Sequence, residues 1–481
     1  MELHERFEAV ARAHAAKTAI VHEANEISYA TLLQRSLILA GFLSKGLERD
    51  AVIGLFVHAP PAFVAAYLGA AGARARVVLL DPRTAKEAAQ SVRHFQISHL
   101  LCTERELPEL AAYLTSTRTA EVDGTRFILG AVRADLRADT SNYRAGDFVV
   151  HCTSGSTGTP KGIVLSADNI VHRILNWSET LALTPDDTVL CSLTLSHCHG
   201  IDVLMLPGLF NGCRVVAPDL DRISPRRVAK LFVEQGVTVF STLPYFYELM
   251  LDTVSPERVD LTRLRYMISG SAPLSDRTAR LFRDRFGRGI QQVYGLSEIG
   301  VICLNKDPDK VGSIGELITG VEGRIADEGA ADGSGELVVS GKALARGYLS
   351  SPDAERTFFR GGELWTQDLV THDASGFVIV GRRSRFINSG GNKVDPVELE
   401  DLLKTHPQVL EAVVTAAPDA LRGEQIVAYL RTRTAVAIEE LHTFMRQRAA
   451  LYKLPAEYRF VDSIPKNGLG KVQVSALGQR A

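Results

Sequence analysis

The sequence has little cysteine and no excess of charge of either sign. It has 54 Lys+Arg against 56 Asp+Glu, a formal net charge of -2, so it lacks the cationic excess that binds nucleic-acid phosphates. None of the six cysteines forms a Cys-x-x-Cys pair, which argues against a disulfide framework and predicts reduced, mostly buried thiols. They are Cys102, Cys152, Cys191, Cys198, Cys213 and Cys303.

Long apolar runs are also missing. The longest, residues 63–73, is about half of what a bilayer-spanning helix needs. The first six residues, Met1 to Arg6, lack the basic and then apolar order of a secretory signal. We therefore expect a cytoplasmic protein with no membrane span and no nucleic-acid partner.

The 481 residues, 46% of them hydrophobic, are enough for a large core and several domains. The recurring pattern is strand, helix, strand. In one example Ser224 caps a helix that starts with Pro225, and Gly236 ends that helix before the β-rich run 237–240. The Ala-rich stretch 60–73 before the apolar run 77–80 predicts another such unit. These patterns predict an α/β fold, a large N-terminal domain of mostly parallel sheets covered by helices.

The pattern changes near residue 382. A polar, Arg-rich stretch interrupts the apolar runs there, and a compact α+β unit is predicted to follow. Its predicted elements are a helix from Pro396, strands over 410–415 and 426–430, and a helix over 438–448. We predict an N-terminal domain over 1–382 and a small, mobile C-terminal domain over 383–481.

A loop rich in glycine and hydroxyl groups lies between the predicted strands 148–150 and 163–165. Three glycines, counting Gly162, free its backbone, five hydroxyls offer donors, and a lysine adds positive charge, which together suit a polyphosphate. It is not a Walker A loop, because Pro160 precedes the lysine where that motif has glycine. The alternative is a flexible turn. The residues are Thr153, Ser154, Gly155, Ser156, Thr157, Gly158, Thr159, Pro160 and Lys161.

This loop resembles the phosphate-binding signature of the adenylate-forming superfamily, which includes acyl- and aryl-CoA synthetases, nonribosomal peptide synthetase adenylation domains and firefly luciferases. Further segments resemble the other motifs of that superfamily, in the same order along nearly the whole chain. They are Ile27–Ala30, Ser269–Leu274, Tyr294–Glu298, Gly335–Leu337 with Gly341, Gly347-Tyr348, Thr366–Asp368, Gly381-Arg382, Gly390-Gly391 with Pro396 and Glu398, and Pro465–Lys471.

The resemblance implies ATP and Mg²⁺ as cofactors. The loop up to Lys161 would hold the β- and γ-phosphates, and Glu298 would help to hold Mg²⁺, which prefers carboxylate oxygen. Tyr294 would stack on adenine, beside Gly295 and Ser297. On the other side of the base, the lining residues would be Gly270, Ser271 and Ala272.

By the same resemblance, Asp368 would accept both ribose hydroxyls and Arg382 would reach the same sugar. Lys471 would approach the substrate carboxylate and the α-phosphate, where its charge offsets the repulsion between two anions. The C-terminal domain would then rotate about a hinge at Ser384. After that rotation, the residues near the pantetheine thiol would be Gly390 and Gly391.

The acid pocket is predicted along residues 193–200 and at Tyr245, Phe246, Gly295 and Leu296. In amino-acid-activating members of that superfamily, an aspartate in the region of the first segment pairs with the substrate ammonium. Residues 193–200 contain no carboxylate and the first one after them is Asp202, so the resemblance argues against an α-amino acid substrate. His197 would be a wall or gate of the pocket, with Gly200 beside it. His197 and His199, two residues apart, would face the same way on a strand and could bind zinc, yet no third ligand is apparent from spacing.

The chain departs from the family pattern at four places. Gln367 replaces a glycine, Ser297 replaces a threonine, and Ser384 stands where the hinge residue is usually acidic or lysine. The fourth departure is Gly468-Leu469 in the last motif. None removes a charge that the mechanism needs. We therefore expect a ligase that forms acyl-AMP and transfers the acyl group to CoA.

Several alternatives stay open at this point. The acceptor could be the pantetheine of a carrier protein, and the chain could be a luciferase-like oxidase or a non-catalytic nucleotide-binding scaffold. Each candidate residue also has a structural interpretation, as a core aromatic, a core histidine, a surface ion pair, a simple turn or a solvated side chain.

Overall fold

The computed structural model describes residues 2–48, 51–83, 88–136, 142–153, 161–327, 333–349, 351–383, 387–389, 392–394, 396–419, 423–466 and 472–477. Four of the described helices begin after a serine whose side chain accepts from a backbone N–H of the first turn. In the helix over Pro225–Glu234, the side chain of Ser224 accepts from the N–H of Arg227, and Gly236 follows the end with a φ of 62°. The helix predicted between Ser224 and Gly236 is therefore confirmed.

The helices are α1 Leu3–Ala13, α2 Tyr29–Gly46, α3 Pro60–Gly72, α4 Ala88–His94, α5 Leu107–Leu110, α6 Ala167–Leu181, α7 Leu206–Phe210, α8 Pro225–Glu234, α9 Pro244–Thr253, α10 Asp276–Phe286, α11 Pro352–Phe358, α12 Pro396–Lys404 and α13 Ile438–Arg446. None of the described helices combines the length and apolar composition that crossing a membrane requires.

The strands are β1 Thr18–His22, β2 Asn25–Ser28, β3 Val52–Leu55, β4 Arg76–Leu79, β5 His99–Thr103, β6 Leu114–Val122, β7 Thr125–Val132, β8 Asp147–Thr153, β9 Lys161–Ser166, β10 Thr188–Leu190, β11 Arg214–Val216, β12 Val239–Thr242, β13 Tyr266–Ser269, β14 Gln291–Leu296, β15 Gly300–Asn305, β16 Glu316–Leu317, β17 Glu322–Asp327, β18 Gly335–Ser340, β19 Gly347–Leu349, β20 Phe359–Arg360, β21 Glu363–Asp373, β22 Gly376–Arg382, β23 Ile387–Ser389, β24 Asn392–Val394, β25 Val409–Asp419, β26 Gly423–Thr432 and β27 Glu457–Phe460.

Two large sheets carry the N-terminal part of the chain. A nine-stranded sheet has the order β16-β15-β14-β13-β12-β10-β11-β1-β2, and its six central strands, β14 to β1, pair in parallel. An eight-stranded sheet has the order β19-β9-β8-β4-β3-β5-β7-β6, with parallel pairs among β8, β4, β3 and β5. Antiparallel strands complete both edges of each sheet, as the predicted α/β architecture allows.

The cores of these sheets are built from the predicted apolar runs. The Ala-rich helix α3 is buried along most of its length, and β4 follows it in parallel with β3. One cluster of buried side chains packs α8, α9 and α10 against the nine-stranded sheet. It includes Phe240 of β12 and Tyr247 of α9. Another surrounds Phe56 and Phe95 at the eight-stranded sheet.

The remaining strands form two five-stranded sheets. One contains β17, β18, β20, β21 and β22, and the other contains β23 to β27. In the latter, α12 and α13 bury Leu399, Leu403, Leu441 and Met445 in a core with β25 and β26. The α+β elements predicted beyond residue 396 are confirmed, with strand ends extended by a few residues.

The chain divides into two compact units. The first takes most of the chain up to Arg324 together with Val338–Trp365, and the second takes Ile325–Leu337 and the chain from Thr366 onward. The predicted division into 1–382 and 383–481 stays a prediction, as does the cytoplasmic location.

Candidate active site

The predicted phosphate loop joins two strands of an antiparallel hairpin. Strand β8 ends at Thr153 and β9 begins at Lys161, and these two residues are paired across the hairpin. Next to them, Cys152 pairs with Gly162, where an added Cβ would lie 2.8 Å from the Phe95 ring. The glycine thus lets the hairpin approach the core closely. The loop residues between them, Ser154 to Pro160, lie outside the described part of the chain.

Lys161 lies against aromatic rings. Its ammonium nitrogen is 5.5 Å from the ring centroid of Tyr348 and 5.1 Å from that of Phe358. Tyr348 belongs to β19, which pairs with β9 in the same sheet. Tyr348 belongs to the Gly347-Tyr348 motif, for which the sequence predicted no role.

Glu298 lies in the turn between β14 and β15. The hydroxyl of Tyr348 donates to Oε1 of Glu298, and the N–H of Ala345 donates to the Glu298 carbonyl at 2.7 Å. Its side chain is half-buried. Tyr348 therefore contacts both of the charged residues that were predicted to handle phosphate and metal.

A buried ion pair supports this turn. Arg173 of α6 donates to Asp202 at 2.8 Å, and both side chains are only 2% exposed. The same guanidinium donates to the carbonyls of Ser297 at 2.9 Å and Ala343 at 3.3 Å. The pair thus anchors the turn that carries Glu298, a role that sequence reasoning missed. A charged residue within the buried face of α6 was the available signal.

The two predicted adenine-binding segments lie side by side. Strands β13 and β14 are parallel, so Gly270 and Ser271 follow the end of β13 next to Tyr294 of β14. An added Cβ at Gly270 would lie 2.5 Å from a methyl of Val293, which explains the glycine. Tyr294 is half-buried and Ala272 is exposed. This edge, at the carboxyl ends of parallel strands, is where α/β sheets bind ligands.

His199 is enclosed at the same edge. One ring nitrogen is 2.8 Å from Oγ of Ser271 and the other is 2.7 Å from Oγ of Ser241. Ser271 has a φ of 66°, in the left-handed region. Burial lowers the pKa of the His199 imidazole to about 4, so the ring is neutral near pH 7.

The prediction that His197 and His199 share a strand face is wrong. Residues 192–197 form no strand, and His199 begins a π-helix over His199–Met205. The N–H of His199 instead donates to Nδ1 of His197 at 3.3 Å. Among the described residues, the group spaced for a metal ion is a different one, His58, Asp219 and Asp221.

The remaining predicted acid-pocket residues divide between core and surface. Phe246 and Tyr247 of α9 are buried in a hydrophobic core cluster, and the acid-pocket role of Phe246 stays a prediction. Tyr245 is 43% exposed, and Leu296 is half-buried. At Gly200 an added Cβ would collide with the Thr194 carbonyl oxygen, so the chain turns tightly there.

A small surface pocket touches the predicted acid segment. Four of its lining residues are Leu193, Thr194, Leu195 and Ser196, and Phe63 and Arg83 line it as well. The guanidinium of Arg83 donates to Oδ1 of Asp81 at 3.0 Å and to Oδ2 at 2.6 Å, and this pairing raises the pKa of Arg83.

The predicted ribose-binding residues meet in the second compact unit. Asp368 of β21 lies opposite Arg382 of β22, and Nε of Arg382 is 3.3 Å from Oδ1 of Asp368. Gln367 has a φ of 64°, which explains why glycine is usual at this position. The buried carboxylate of Glu336 accepts from the backbone and side-chain N–H groups of Gln367, both at 2.9 Å. These bonds compensate for the strained backbone of the residue that departs from the family pattern.

Four further predicted residues lie outside the described part of the chain. They are Ser384, Gly390, Gly391 and Lys471.

Comparison with known proteins decides the family. The model of the AMP-binding enzyme family matches residues 7–349, and the model of the AMP-binding enzyme C-terminal domain matches residues 398–471. The chain belongs to the AMP-binding enzyme family. The superfamily resemblance read from the sequence is therefore confirmed.

Two curated relatives of this AMP-binding enzyme are CoA ligases. The sulfoacetate–CoA ligase of Cupriavidus necator is 34% identical over 67% of this chain, and the match spans 64% of that relative's length. The oxalate–CoA ligase of Arabidopsis thaliana is 27% identical over 90% of this chain and 89% of its own. Among solved structures, ATP-bound MatB from Rhodopseudomonas palustris is similar, with a TM-score of 0.85, 27% identity, and coverage of 100% of this chain and 99% of that one.

Proposed function

We propose that this AMP-binding enzyme is an ATP-dependent acid–CoA ligase. In the first step a carboxylate oxygen attacks the α-phosphorus of ATP, and pyrophosphate leaves. In the second step the thiol of CoA attacks the acyl-AMP carbonyl, so that acyl-CoA forms, AMP leaves and the thiol proton is lost. The observation that supports the proposal is that Tyr348 contacts both Lys161, at the end of the predicted phosphate loop, and Glu298, the predicted metal ligand.

The described residues of the first unit fit an ATP site. Lys161 begins the strand after the loop, where its charge can neutralise phosphate oxygens. Tyr294 offers a half-buried ring beside Gly270 and Ser271 for the adenine. Within the second unit, the Asp368 carboxylate is well suited to accept the ribose hydroxyls, with Arg382 beside it.

The metal proposed for this site is Mg²⁺. Glu298 fits it, because Tyr348 holds Oε1, and Oε2 accepts no hydrogen bond from the described residues. Bound there with ATP, Mg²⁺ would neutralise the charge that builds up on the phosphate oxygens. The chain itself holds the carboxylate in place through Tyr348, through the Ala345 N–H and through the Arg173 anchor of Ser297.

For the acid, we propose a short carboxylic acid with a second anionic group. The two relatives are named for sulfoacetate and oxalate, which are both two-carbon acids of this kind. The side chain of Arg83 lines the pocket at Leu193–Ser196, where it could meet a second anion. The proposed acceptor is CoA, with the pantetheine of a carrier protein as the alternative.

Pyrophosphate release tests the proposal. The purified protein should release pyrophosphate only with ATP, Mg²⁺ and an acid from a panel of dicarboxylic, sulfonated, fatty, aryl and amino acids. Adding CoA should yield a thioester and AMP. Binding of ATP without release for any acid would refute the ligase, and thioester formation on a phosphopantetheinyl carrier protein but not on CoA would favour the alternative acceptor.

A substitution of Lys471, compared with a control lysine, tests the mechanism. Lys471→Ala should slow pyrophosphate release by about 10²-fold or more, because a charge is lost from the transition state. It should leave thioester formation from supplied acyl-AMP near the wild-type rate. The control Lys404→Ala removes an exposed lysine of α12 that pairs with Asp401 and should change neither step. Equal rates for both variants would show that Lys471 has no role in adenylation.

A further inference from the structure

The strand that carries Tyr348 is fixed at several points. Tyr348 pairs with Ile163 and Leu349 with Gly162, so β19 continues the sheet beside the phosphate hairpin. The N–H of Tyr348 donates to the Glu355 carboxylate at 2.6 Å. Just before the strand, Arg346 forms a two-point ion pair with Asp147 of β8, at 2.9 and 3.1 Å. The backbone at Tyr348 is therefore held in place independently of its side chain.

The side chain of Tyr348 contacts two predicted site residues, Glu298 and Lys161. It is 6% exposed, and its hydroxyl donates to one oxygen of Glu298. Its ring faces the Lys161 ammonium, which also lies over the ring of Phe358. The Phe358 ring meets that of Tyr348 nearly edge-on, with centroids 5.9 Å apart and an interplanar angle of 76°. The two rings thus form an aromatic cradle, Tyr348 and Phe358, for the ammonium.

These contacts separate into two physical effects. A hydrogen bond to one carboxylate oxygen orients the other oxygen, and such outer bonds typically contribute about 10- to 100-fold to metal affinity. A cation over an aromatic face is held mainly by the ring and needs no hydroxyl. The hydroxyl of Tyr348 therefore acts on Glu298, whereas the cradle acts on Lys161.

We propose that Tyr348 is a positioning residue for the metal–nucleotide complex. Its hydroxyl holds Oε1 of Glu298 so that Oε2 meets the divalent cation. Its ring, together with Phe358, holds the ammonium of Lys161 toward the phosphates. This proposal rests on the proposed function, since it takes Glu298 as a ligand of the metal that accompanies ATP.

The test uses two variants of the full-length protein that remove one effect each. Tyr348→Phe keeps the ring and removes the hydroxyl, and Phe358→Leu keeps the hydroxyl and removes half of the cradle. Binding of Mn²⁺ in the presence of α,β-methylene-ATP, which cannot release pyrophosphate, is measured by electron paramagnetic resonance. Binding of the nucleotide itself is measured by calorimetry at saturating Mn²⁺.

Tyr348→Phe should weaken Mn²⁺ binding about tenfold and change nucleotide affinity by less than about twofold at saturating Mn²⁺. Phe358→Leu should weaken nucleotide binding about threefold and leave Mn²⁺ affinity at the wild-type value. In turnover, Tyr348→Phe should raise the Mg²⁺ concentration for half-maximal rate, with kcat restored at high Mg²⁺. A merely structural tyrosine would lower kcat at every Mg²⁺ concentration.

Glu298→Gln separates this proposal from the proposed function. If Glu298→Gln weakens Mn²⁺ binding and Tyr348→Phe does not, the positioning role of Tyr348 is refuted while the metal site stands. If Glu298→Gln binds Mn²⁺ like the wild type, the assignment of Glu298 as a metal ligand fails, and the role of Tyr348 fails with it. Matching circular dichroism spectra and melting temperatures of the variants confirm that the comparison is between folded proteins.

Discussion

His151 should make the protein sensitive to acid, and His151→Leu should remove that sensitivity. The imidazole lies in β8, two residues before the phosphate loop, and is 1% exposed. Neither ring nitrogen makes a hydrogen bond to a described residue, and Nδ1 is 3.7 Å from a carboxylate oxygen of Asp202. Burial lowers the pKa of His151 from 6.5 to about 4; the Asp202 carboxylate opposes this shift and the Arg173 guanidinium adds to it.

The size of the effect follows from proton linkage. Between these two pKa values the unfolded chain binds a proton that the folded protein excludes, so the free energy of unfolding falls as the pH falls from 6.5 toward 4. From about pH 7.5 to about pH 5, one such histidine removes about 2 kcal/mol of stability. Well above pH 6.5 neither state binds a proton at this site, and the loss disappears.

Urea unfolding at these two pH values, followed by tryptophan fluorescence, measures the effect. The buried Trp177 reports on the unit that contains His151. The loss of stability from about pH 7.5 to about pH 5 should be about 2 kcal/mol smaller in His151→Leu than in the wild type. Each protein is compared with itself, so any change in stability at neutral pH cancels.

A control is His172→Leu, since the side chain of His172 is 24% exposed. This variant removes a histidine from the same unit without emptying the buried site at His151, so it should keep the wild-type loss. If His151→Leu loses as much stability as the wild type, within about 0.5 kcal/mol, the buried imidazole is not the source of the acid sensitivity.

Three further predictions concern packing and reactivity. Arg173→Met leaves the buried Asp202 carboxylate without its ion-pair partner and should lower the free energy of urea unfolding by about 3–5 kcal/mol. An unchanged urea midpoint would show that this ion pair does not stabilise the fold. Gly200→Ala forces a methyl group against the Thr194 carbonyl and should lower the melting temperature. The control is Gly41→Ala in α2, where nothing lies within 4 Å of the added carbon. This control should be neutral or stabilise the protein by up to about 1 kcal/mol. Burial raises the pKa of all six cysteine thiols, so Ellman's reagent at about pH 8 should label less than one thiol per native chain and all six in urea; rapid labelling of several native thiols would refute this.

The elements that could be predicted are those whose pattern is local. Ser224, Pro225 and Gly236 mark the two ends of α8, because caps act within a few residues of the chain. The alternation of apolar strands and helices likewise predicted the parallel core of the nine-stranded sheet. The order of motifs along the chain predicted the family.

The parts that could not be predicted depend on contacts between distant residues or on the direction of a side chain. Tyr245, Phe246 and Tyr247 are three consecutive aromatics, and only the packing of α9 decides that the last two enter the core. Arg173 finds its partner Asp202 29 residues away, in a π-helix that no periodicity predicts. The same holds for Tyr348 and Glu298, which are 50 residues apart.

The position of β19 has a consequence for synthesis of the chain. Strand β9 is complete at Ser166, but the strand that covers its outer edge begins at Gly347, so about 180 residues separate the two in the nascent polypeptide. Until that later segment leaves the ribosome, β9 presents unpaired backbone groups that another strand can capture. Fragments truncated between these two points should therefore aggregate in cells more than fragments that extend past Leu349.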